Sequence, residues 1–393
     1  MFFNPVRNFD VAIVGAGPAG SSLAIRLAVA GFSVLLVEQK KFPREKLCGE
    51  FISPECLTHF ADLGIMPAIS LAGGARLAET IFFARNGKGV AVRSEWFGTR
   101  DAMALGLSRA EMDQQLVDRV RELGVDVREE TNATGLITAG DEILGIRIRD
   151  GAGAEAEIRA MLTVDATGRA RSLARRIEPQ LSSKQPAKFV AFKTHLRKAD
   201  ISAGTCEIYS YRGGYGGCNQ VESNLYNLCF IASAEQTKSL DSDPERVMRE
   251  VVFKNKRAAE SMIRAEVAKP WLAVPIERFG RRELVPATGL LTVGDSAAFI
   301  DPFTGSGMLL ALESAKIASS SIITHRDDLS RLAQSYKQAY SAAFDRRLQV
   351  CAMLRHAAFV PFLAEMTIAL LGISVGLRRR IARATRFKAA SCM

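Results

Sequence analysis

Asp10-Val-Ala-Ile-Val-Gly15-Ala-Gly17-Pro-Ala-Gly20 is the stretch on which the reading of this chain turns. The apolar run Asp10–Gly15, ending in glycine, fits a buried parallel strand. Pro18 to Ala30 reads as a helix with Leu23, Leu27 and Ala30 on one side, and Gly31 stops it. Ser33–Glu38 (SVLLVE) is then a second buried strand, which completes a β-α-β unit with a right-handed crossover. Gly15, Gly17 and Gly20 fall at the strand-to-helix turn in the order GxGxxG. There Gly15 permits the tight turn, Gly17 lets a pyrophosphate approach the backbone, and Gly20 lets helix and strand pack closely. Pro18-Ala19-Gly20 opens the helix, where the free N–H groups and the dipole favour an anion. Glu38, with Gln39 beside it, ends the second strand where a carboxylate accepts a ribose hydroxyl. A tight turn without a ligand would explain the glycines alone. Strand, loop, helix and acidic residue together point to a dinucleotide.

Two later segments extend this reading. Val164-Asp165-Ala166-Thr167-Gly168 ends another strand-like run and leads to Ser172. Val293-Gly294-Asp295-Ser296-Ala297 ends a further buried strand, where the Asp295 carboxylate can hold a polyol hydroxyl. Pro302-Phe303-Thr304-Gly305-Ser306-Gly307-Met308 is a glycine-rich turn running into the helix Gly307–Thr324. Its backbone N–H groups can face an electron-rich ring edge. Between these segments the texture changes. Glu79–Phe83, Gly89–Arg93, Phe189–His195, Glu207–Tyr211, Leu225–Ile231 and Val274–Phe279 are short β-like runs separated by turn residues. Arg109–Leu123 is helical, Val125–Arg128 is a strand, and Leu144–Arg149 with Ile158–Asp165 reads as a hairpin pair.

The chain has 393 residues, 48% of them apolar and 24% charged, which suits two or three globular domains and excludes a disordered or collagen-like chain. Its seven cysteines are scattered without a CxxC, and its four histidines form no HExxH, so no disulfide scaffold, zinc module or metallohydrolase is expected. The first residues carry no basic leader pattern, which predicts a cytoplasmic, unprocessed protein. The net charge is +10, and Arg378, Arg379, Arg380, Arg383, Arg386 and Lys388 supply six of those charges after the last acidic residue, Glu365. Nucleic-acid binders spread such residues over a folded face with interleaved aromatics, so nucleic acid is not the expected partner. A basic tail suits an anionic membrane surface.

Taken together, GAGPAG with Glu38, DATG, and GDSAAFIDPFTGSGM resemble the FAD-binding segments of class A flavoprotein monooxygenases, geranylgeranyl reductases and flavin-dependent halogenases. The resemblance runs in blocks over about residues 8–320. It implies an α/β fold in which a Rossmann-like FAD-binding domain of the glutathione-reductase type is interleaved with a mostly antiparallel β-sheet substrate domain, followed by a helical C-terminus. The expected boundaries are 1–70, 100–185 and 285–325 for the FAD domain, 71–99 and 186–284 for the substrate domain, and 326–393 for the helical end. It implies FAD as cofactor, NADPH or NADH as electron donor, and a flavin contact from Arg109 in LSRAEMDQQL. Asp165, Ala166 and Gly168, with Gly294, Asp295, Pro302, Gly305, Ser306, Gly307 and Met308, become further cofactor residues.

Within this superfamily, Phe42-Pro43-Arg44-Glu-Lys46-Leu-Cys48-Gly49 is similar to the cysteine-glycine segment of the geranylgeranyl reductases, which adds Arg44, Cys48 and Gly49 to the cofactor side. Cys48 is either a catalytic pocket residue or a small buried hydrophobe. That branch's aromatic Tyr-x-Trp-x-Phe-Pro run is not kept: Gly217 and Gln220 stand in Gly214-Tyr215-Gly216-Gly217-Cys218-Asn219-Gln220 where Trp and Pro would fall. Tyr215 remains as a candidate catalytic residue, whereas Tyr209 and Tyr211 read as packing residues. Ala298 stands where class A hydroxylases usually have His, and no WxWxIP marks a halogenase. The expected activity is hydroxylation of an aromatic, polyketide or quinone-like ring through reduced FAD and oxygen. Reduction of C=C bonds in an isoprenoid or other lipid is the alternative, and a flavin electron-transfer protein or a halogenase ranks below both. Ala357–Leu377 (AAFVPFLAEMTIALLGISVGL) has about the length of a membrane span, but Pro361 and Glu365 interrupt it. It is expected to be a lid or an interfacial helix, with peripheral contact to the inner membrane surface.

Overall fold

The computed structural model describes residues 7–97, 103–177, 187–276, 279–299, 305–359 and 361–384. Arg7–Val14 lies at the centre of a parallel layer, between Val34–Val37 on one side and the long strand Glu155–Asp165 on the other. Asp126–Arg128 extends the layer beyond Val34–Val37, and Leu290–Thr292 extends it beyond the C-terminal half of Glu155–Asp165. The pleat decides why these runs are apolar throughout. Val11, Ile13 and Leu36 enter one core, Ala12, Val14 and Leu35 enter another, and neither face meets water. The first core is closed by the helices Pro18–Val29, Arg109–Glu122 and Gly307–Thr324, which contribute Leu23, Leu116 and Leu312.

The N-terminal half of Glu155–Asp165 pairs antiparallel with Glu142–Arg149, as the hairpin reading expects. Asn132–Ala139 adds another antiparallel strand to this end of the sheet. Thr-Asn-Ala-Thr-Gly has no alternating apolar pattern to announce this strand, and pairing with Glu142–Arg149 outweighs its weak propensity.

The second sheet has eight strands and is antiparallel except where Thr205–Tyr211 runs parallel to Glu79–Phe83. Phe189–Arg197 sits inside it, paired with Tyr226–Ser233 on one side and with Glu266–Val267 and Leu272–Ile276 on the other. Gly214–Gln220 links Thr205–Tyr211 to Tyr226–Ser233. Phe192, Tyr209, Tyr211 and Phe230 face a core shared with the helices Pro244–Glu250 and Lys256–Met262. Ala191, Tyr215, Ile231 and Ile276 gather on a separate cluster with Leu47 and Phe299, toward the parallel layer.

The C-terminal end is helical, as expected. Leu329–Phe359 packs on Gly307–Thr324 through Tyr336, Tyr340 and Phe344, spaced at i, i+4 and i+8, and the Tyr336 hydroxyl donates to the Thr292 carbonyl at 2.7 Å. Pro361–Ile373 and Val375–Ala384 follow. The apolar run Ala357–Leu377 is thus divided among three helices. Among the described residues no helix is long and apolar enough to cross a membrane. The tail beyond residue 384, with Arg386 and Lys388, lies outside the described residues.

Candidate active site

The carboxyl ends of the parallel strands open into a cavity of about 370 Å³ that reaches under the second sheet. In open parallel sheets this is where ligands bind. The glycines of the first loop divide by what holds them. A Cβ on Gly15, whose φ is +104°, would lie 2.4 Å from the Ala166 carbonyl oxygen, and one on Gly20 would lie 1.9 Å from the Gly15 oxygen. Both glycines are required by close packing of backbone. Gly17 is different: a Cβ there would meet only the guanidinium ends of Arg109 at 3.8 Å and Arg44 at 4.0 Å. No protein atom demands a glycine at that position, so the space is kept for something else. Gly17 also caps the helix Pro18–Val29 with no side-chain hydrogen bond and no acidic residue in the first turn, so its N–H groups are available to an anion.

Three cations face this space. Arg109 forms a fork on Asp113, Nε to Oδ1 at 2.8 Å and Nη2 to Oδ2 at 2.7 Å. Burial opposes its charge, but the Asp113 carboxylate more than offsets this and holds its proton more firmly than usual. Arg44 bridges Asp113 at 3.1 Å and Glu38 at 3.2 Å. Lys46 lines the same wall, and burial, helped by the neighbouring Arg44 and Arg109, pushes its ammonium below the usual range. A diphosphate between Gly17 and these groups would relieve that repulsion. Asp113, one helical turn after Arg109, went unnoticed in the sequence. The signal was there, since Arg and Asp at i, i+4 in a first helical turn form such a fork.

Glu38 is buried at the end of Val34–Val37 and lines the cavity with Gln39. Its Oε2 accepts from Ala16 N at 3.1 Å and its Oε1 from Lys40 N at 3.1 Å, so it ties the glycine loop to the second strand. Pro18, Ala19, Ala166, Gly168, Gly294, Asp295, Gly305, Gly307 and Met308 also line the cavity. Asp295 has no hydrogen-bond donor on its carboxylate among the described residues, and burial pushes its pKa up against the charges of Arg169, Arg109 and Lys46. A half-buried acceptor of this kind, facing the cavity, fits a ribityl hydroxyl. A Cβ on Gly49 or Gly307 would meet nothing within 4 Å, so these two lining glycines, like Gly17, border open space.

Three of the expected cofactor residues do not reach this space. Asp165 is fully buried and spends both oxygens on the protein: Oδ1 takes Thr167 N, Thr167 Oγ1 and Ser296 Oγ, and Oδ2 takes Leu173 N and Ala174 N. It organises the turn that presents Ala166 and Gly168. Gly20 lies behind the loop, and Ser306 is buried beneath the glycine-rich turn. Pro302 lies outside the described residues.

The substrate end is apolar. Phe82, Val92, Phe97, Ile208, Ile231, Ile276 and Phe299 form its walls, with Tyr215 packed among Ala191, Ile231 and Ile276. Tyr209 and Tyr211 are core residues, bonded to Glu207 Oε2 at 2.8 Å and to the Ile231 carbonyl at 3.0 Å. Gly217 lines the cavity, and a Cβ there would approach Ile208 Cδ1 at 2.8 Å.

Between the two ends stands the turn Cys48-Gly49-Glu50, and its anchoring is the part of the site that sequence reasoning missed. Glu50 is fully buried with a left-handed φ of 51°. Its Oε1 accepts from Lys193 Nζ at 2.5 Å and from Arg109 N at 2.9 Å, and its Oε2 pairs with His195 Nε2 at 2.7 Å. Lys193 and His195 are alternate residues of Phe189–Arg197, so the pleat points both to the same side. Asn227 Nδ2 donates to the Cys48 carbonyl at 3.1 Å and Asn219 Nδ2 to the Glu50 carbonyl at 3.4 Å. Lys193 also reaches Glu45 at 2.8 Å, and Glu45 takes Lys269 at 2.6 Å. Glu45, Glu50 and His195 are close enough to hold a metal, but the Lys193 ammonium already bonds both carboxylates. The second sheet therefore grips this turn through four side chains. Cys48 lines the cavity, and burial, with a smaller push from the Glu50 carboxylate, raises its thiol pKa despite Arg109 nearby. At neutral pH the group is a protonated thiol.

The model of the FAD binding domain family matches residues 8–339. The chain is 28% identical over 318 residues to digeranylgeranylglycerophospholipid reductase of Methanosarcina acetivorans, covering 79% of this chain and 74% of that protein. Among solved structures, the flavin-dependent brominase Bmp2 superposes with a TM-score of 0.79 at 19% identity over 98% of this chain and 95% of its own. PqsL of Pseudomonas aeruginosa, a probable FAD-dependent monooxygenase, superposes with a TM-score of 0.73 at 18% identity over 94% of this chain and 100% of its own. These likenesses establish the fold as the Rossmann-type FAD architecture expected from the motifs. The uncapped helix end, the three cations and the open glycines are what a flavin dinucleotide requires, and the chain belongs to the FAD binding domain family as an FAD-dependent oxidoreductase.

Proposed function

We propose that this enzyme reduces a C=C bond in a hydrophobic, isoprenoid-like substrate. The observation that carries the reading is the placement of the Cys48 thiol in the cavity wall, fixed by the Glu50 anchor between the polar and apolar linings. FAD, once reduced, supplies a hydride. Adding hydrogen across a double bond then needs one proton at the other carbon, and Cys48 Sγ is a proton donor whose raised pKa keeps it loaded. With FAD bound, Gly17, Arg44 and Arg109 would hold the diphosphate, and Asp295 would accept from the ribityl chain. The apolar walls align the substrate and exclude water from the reacting carbons. The likeness to digeranylgeranylglycerophospholipid reductase of Methanosarcina acetivorans supports the same reading.

Ring hydroxylation remains as a second reading because Gly217 and Gln220 stand where the reductase branch carries the Trp and Pro of its aromatic run. A reduced nicotinamide is proposed as the electron donor to either reaction. The two separate in a single turnover. The holoenzyme, reduced by NADPH or NADH without oxygen and mixed with a polyprenyl phospholipid, is expected to yield a product with one double bond fewer. Turnover only when oxygen is admitted, with an oxygen atom in the product, would establish hydroxylation instead.

A further inference from the structure

The helix Pro361–Ile373 leaves Phe362, Met366, Leu370 and Ile373 exposed, from 55% to 83%. Spaced by four, four and three residues, they form one apolar stripe along one face. The next helix, Val375–Ala384, continues with Arg379, Arg380 and Arg383 exposed, and Glu365 is the last acidic residue of the chain. A solvated lid would place polar residues outward, and this one does not. We propose that these two helices dock on an anionic lipid bilayer, the stripe entering the acyl boundary and the arginines meeting the headgroup phosphates. The thirteen residues of the first helix reach about 20 Å, short of the roughly 30 Å hydrocarbon core, so the helix lies in the interface and does not cross it. The docked face is tied to the cavity. Arg378 Nη1 donates to the Ala91 carbonyl at 3.1 Å and Arg383 Nε to the Trp96 carbonyl at 3.4 Å, and the adjacent Val92 and Phe97 line the substrate end. A bilayer under these helices therefore lies beside the apolar wall. This surface is independent of which reaction the flavin performs.

The test is flotation of the FAD-loaded full-length protein with vesicles of phosphatidylcholine alone or mixed with phosphatidylglycerol. The parent is expected to float with the anionic vesicles at low salt, and to lose most of that binding at 0.5 M salt, where screening acts within roughly 4 Å. The variant R379Q/R380Q should lower partition to anionic vesicles about 30-fold. The variant F362S/M366S/L370S/I373S should lose binding to the anionic vesicles at low salt. Flavin absorbance confirms that each variant is folded, and neither variant touches the cofactor cavity. A parent that stays at the bottom of the gradient at low salt overturns the proposal. So does binding unchanged by the serine substitutions, retention on DNA in place of vesicles, or a dimer in light scattering that the serine variant dissolves.

Discussion

Replacing Lys193 by Met removes the ammonium from the Glu50 anchor while keeping most of the side chain's volume. Glu50 is completely buried and keeps only Arg109 N and His195 Nε2 as partners. The lost bond, 2.5 Å to a charged group, is worth roughly 1.5–3 kcal/mol. The carboxylate left under-compensated in a dry site adds to this, so the total approaches the roughly 3–5 kcal/mol typical of a broken buried pair. The second bond, to Glu45, counts for little, because Glu45 is one-third exposed and retains Lys269. We expect about 3 kcal/mol, read as a lower denaturation midpoint at constant slope. Glu50→Gln alone also destabilises, because it leaves the buried Lys193 ammonium with only the one-third-exposed Glu45 carboxylate as its charged partner. The double variant should cost clearly less than the sum of the two, since neither charge is then left alone. Additive costs in this cycle, or a midpoint unmoved by Lys193→Met, would refute the claim that the pair holds the turn. FAD affinity supplies a second readout, because the turn carries Cys48 and Gly49 into the cavity.

Further outcomes follow from the same geometry. Gly17→Val should remove FAD from the purified protein while leaving it folded, whereas Gly20→Val should destabilise the fold itself, because its side chain would strike the Gly15 carbonyl. Flavin released on heating, beside a melting curve, distinguishes the two. Asp295→Ala should weaken FAD binding by at least about tenfold, read by fluorescence titration, since it deletes an acceptor for a polyol hydroxyl. Cys48→Ala should leave FAD bound and slow the single-turnover reduction by roughly 10²–10⁴-fold, the span of a lost general acid. An unchanged rate would return Cys48 to a packing role. Glu45 is held down to about 2: burial raises its pKa, but the bonds from Lys193 and Lys269 outweigh that. Its folded value lies below its unfolded one, so its contribution is complete above about pH 4.5 and is lost as pH falls toward 2. Glu45→Gln should flatten the acid-unfolding profile in that window, by no more than about 1–2 kcal/mol after allowance for its exposure.

What was legible in the sequence was whatever repeats at short range. Val11–Val14 and Val34–Val37 are apolar at every position because the layer is covered on both faces, and a glycine loop between such strands announces itself. The fork of Arg109 on Asp113 is equally local, an i, i+4 pair on one turn of the helix Arg109–Glu122. Asp165 shows where motif reasoning overreaches. A carboxylate ending a parallel strand can serve a ligand or the turn beside it, and the sequence does not say which. Five protein donors on its two oxygens decide for the turn, while Asp295, in the equivalent place one strand over, has none among the described residues and faces the cavity.

The Glu50 anchor was beyond local reasoning for a different cause. Its partners lie 143 and 145 residues away, on a strand of the other sheet, and nothing near Glu50 in sequence distinguishes it from a surface carboxylate. The period of two along Phe189–Arg197 does place Lys193 and His195 on one face, but it also reads as an ordinary strand with a polar side. Only the docking of the two sheets turns that side inward. Burying two cationic or titratable groups against one carboxylate costs stability unless every partner is satisfied. The folded chain meets that condition with donors from both halves: Arg109 N from one, Lys193 and His195 from the other. The cysteine that faces the cavity is thereby fixed to the junction, and a change in how the sheets sit would move it directly. This links the apolar wall of the second sheet to the Cys48 thiol with no intervening loop, so substitutions at Lys193 should alter substrate turnover even though that residue does not line the cavity.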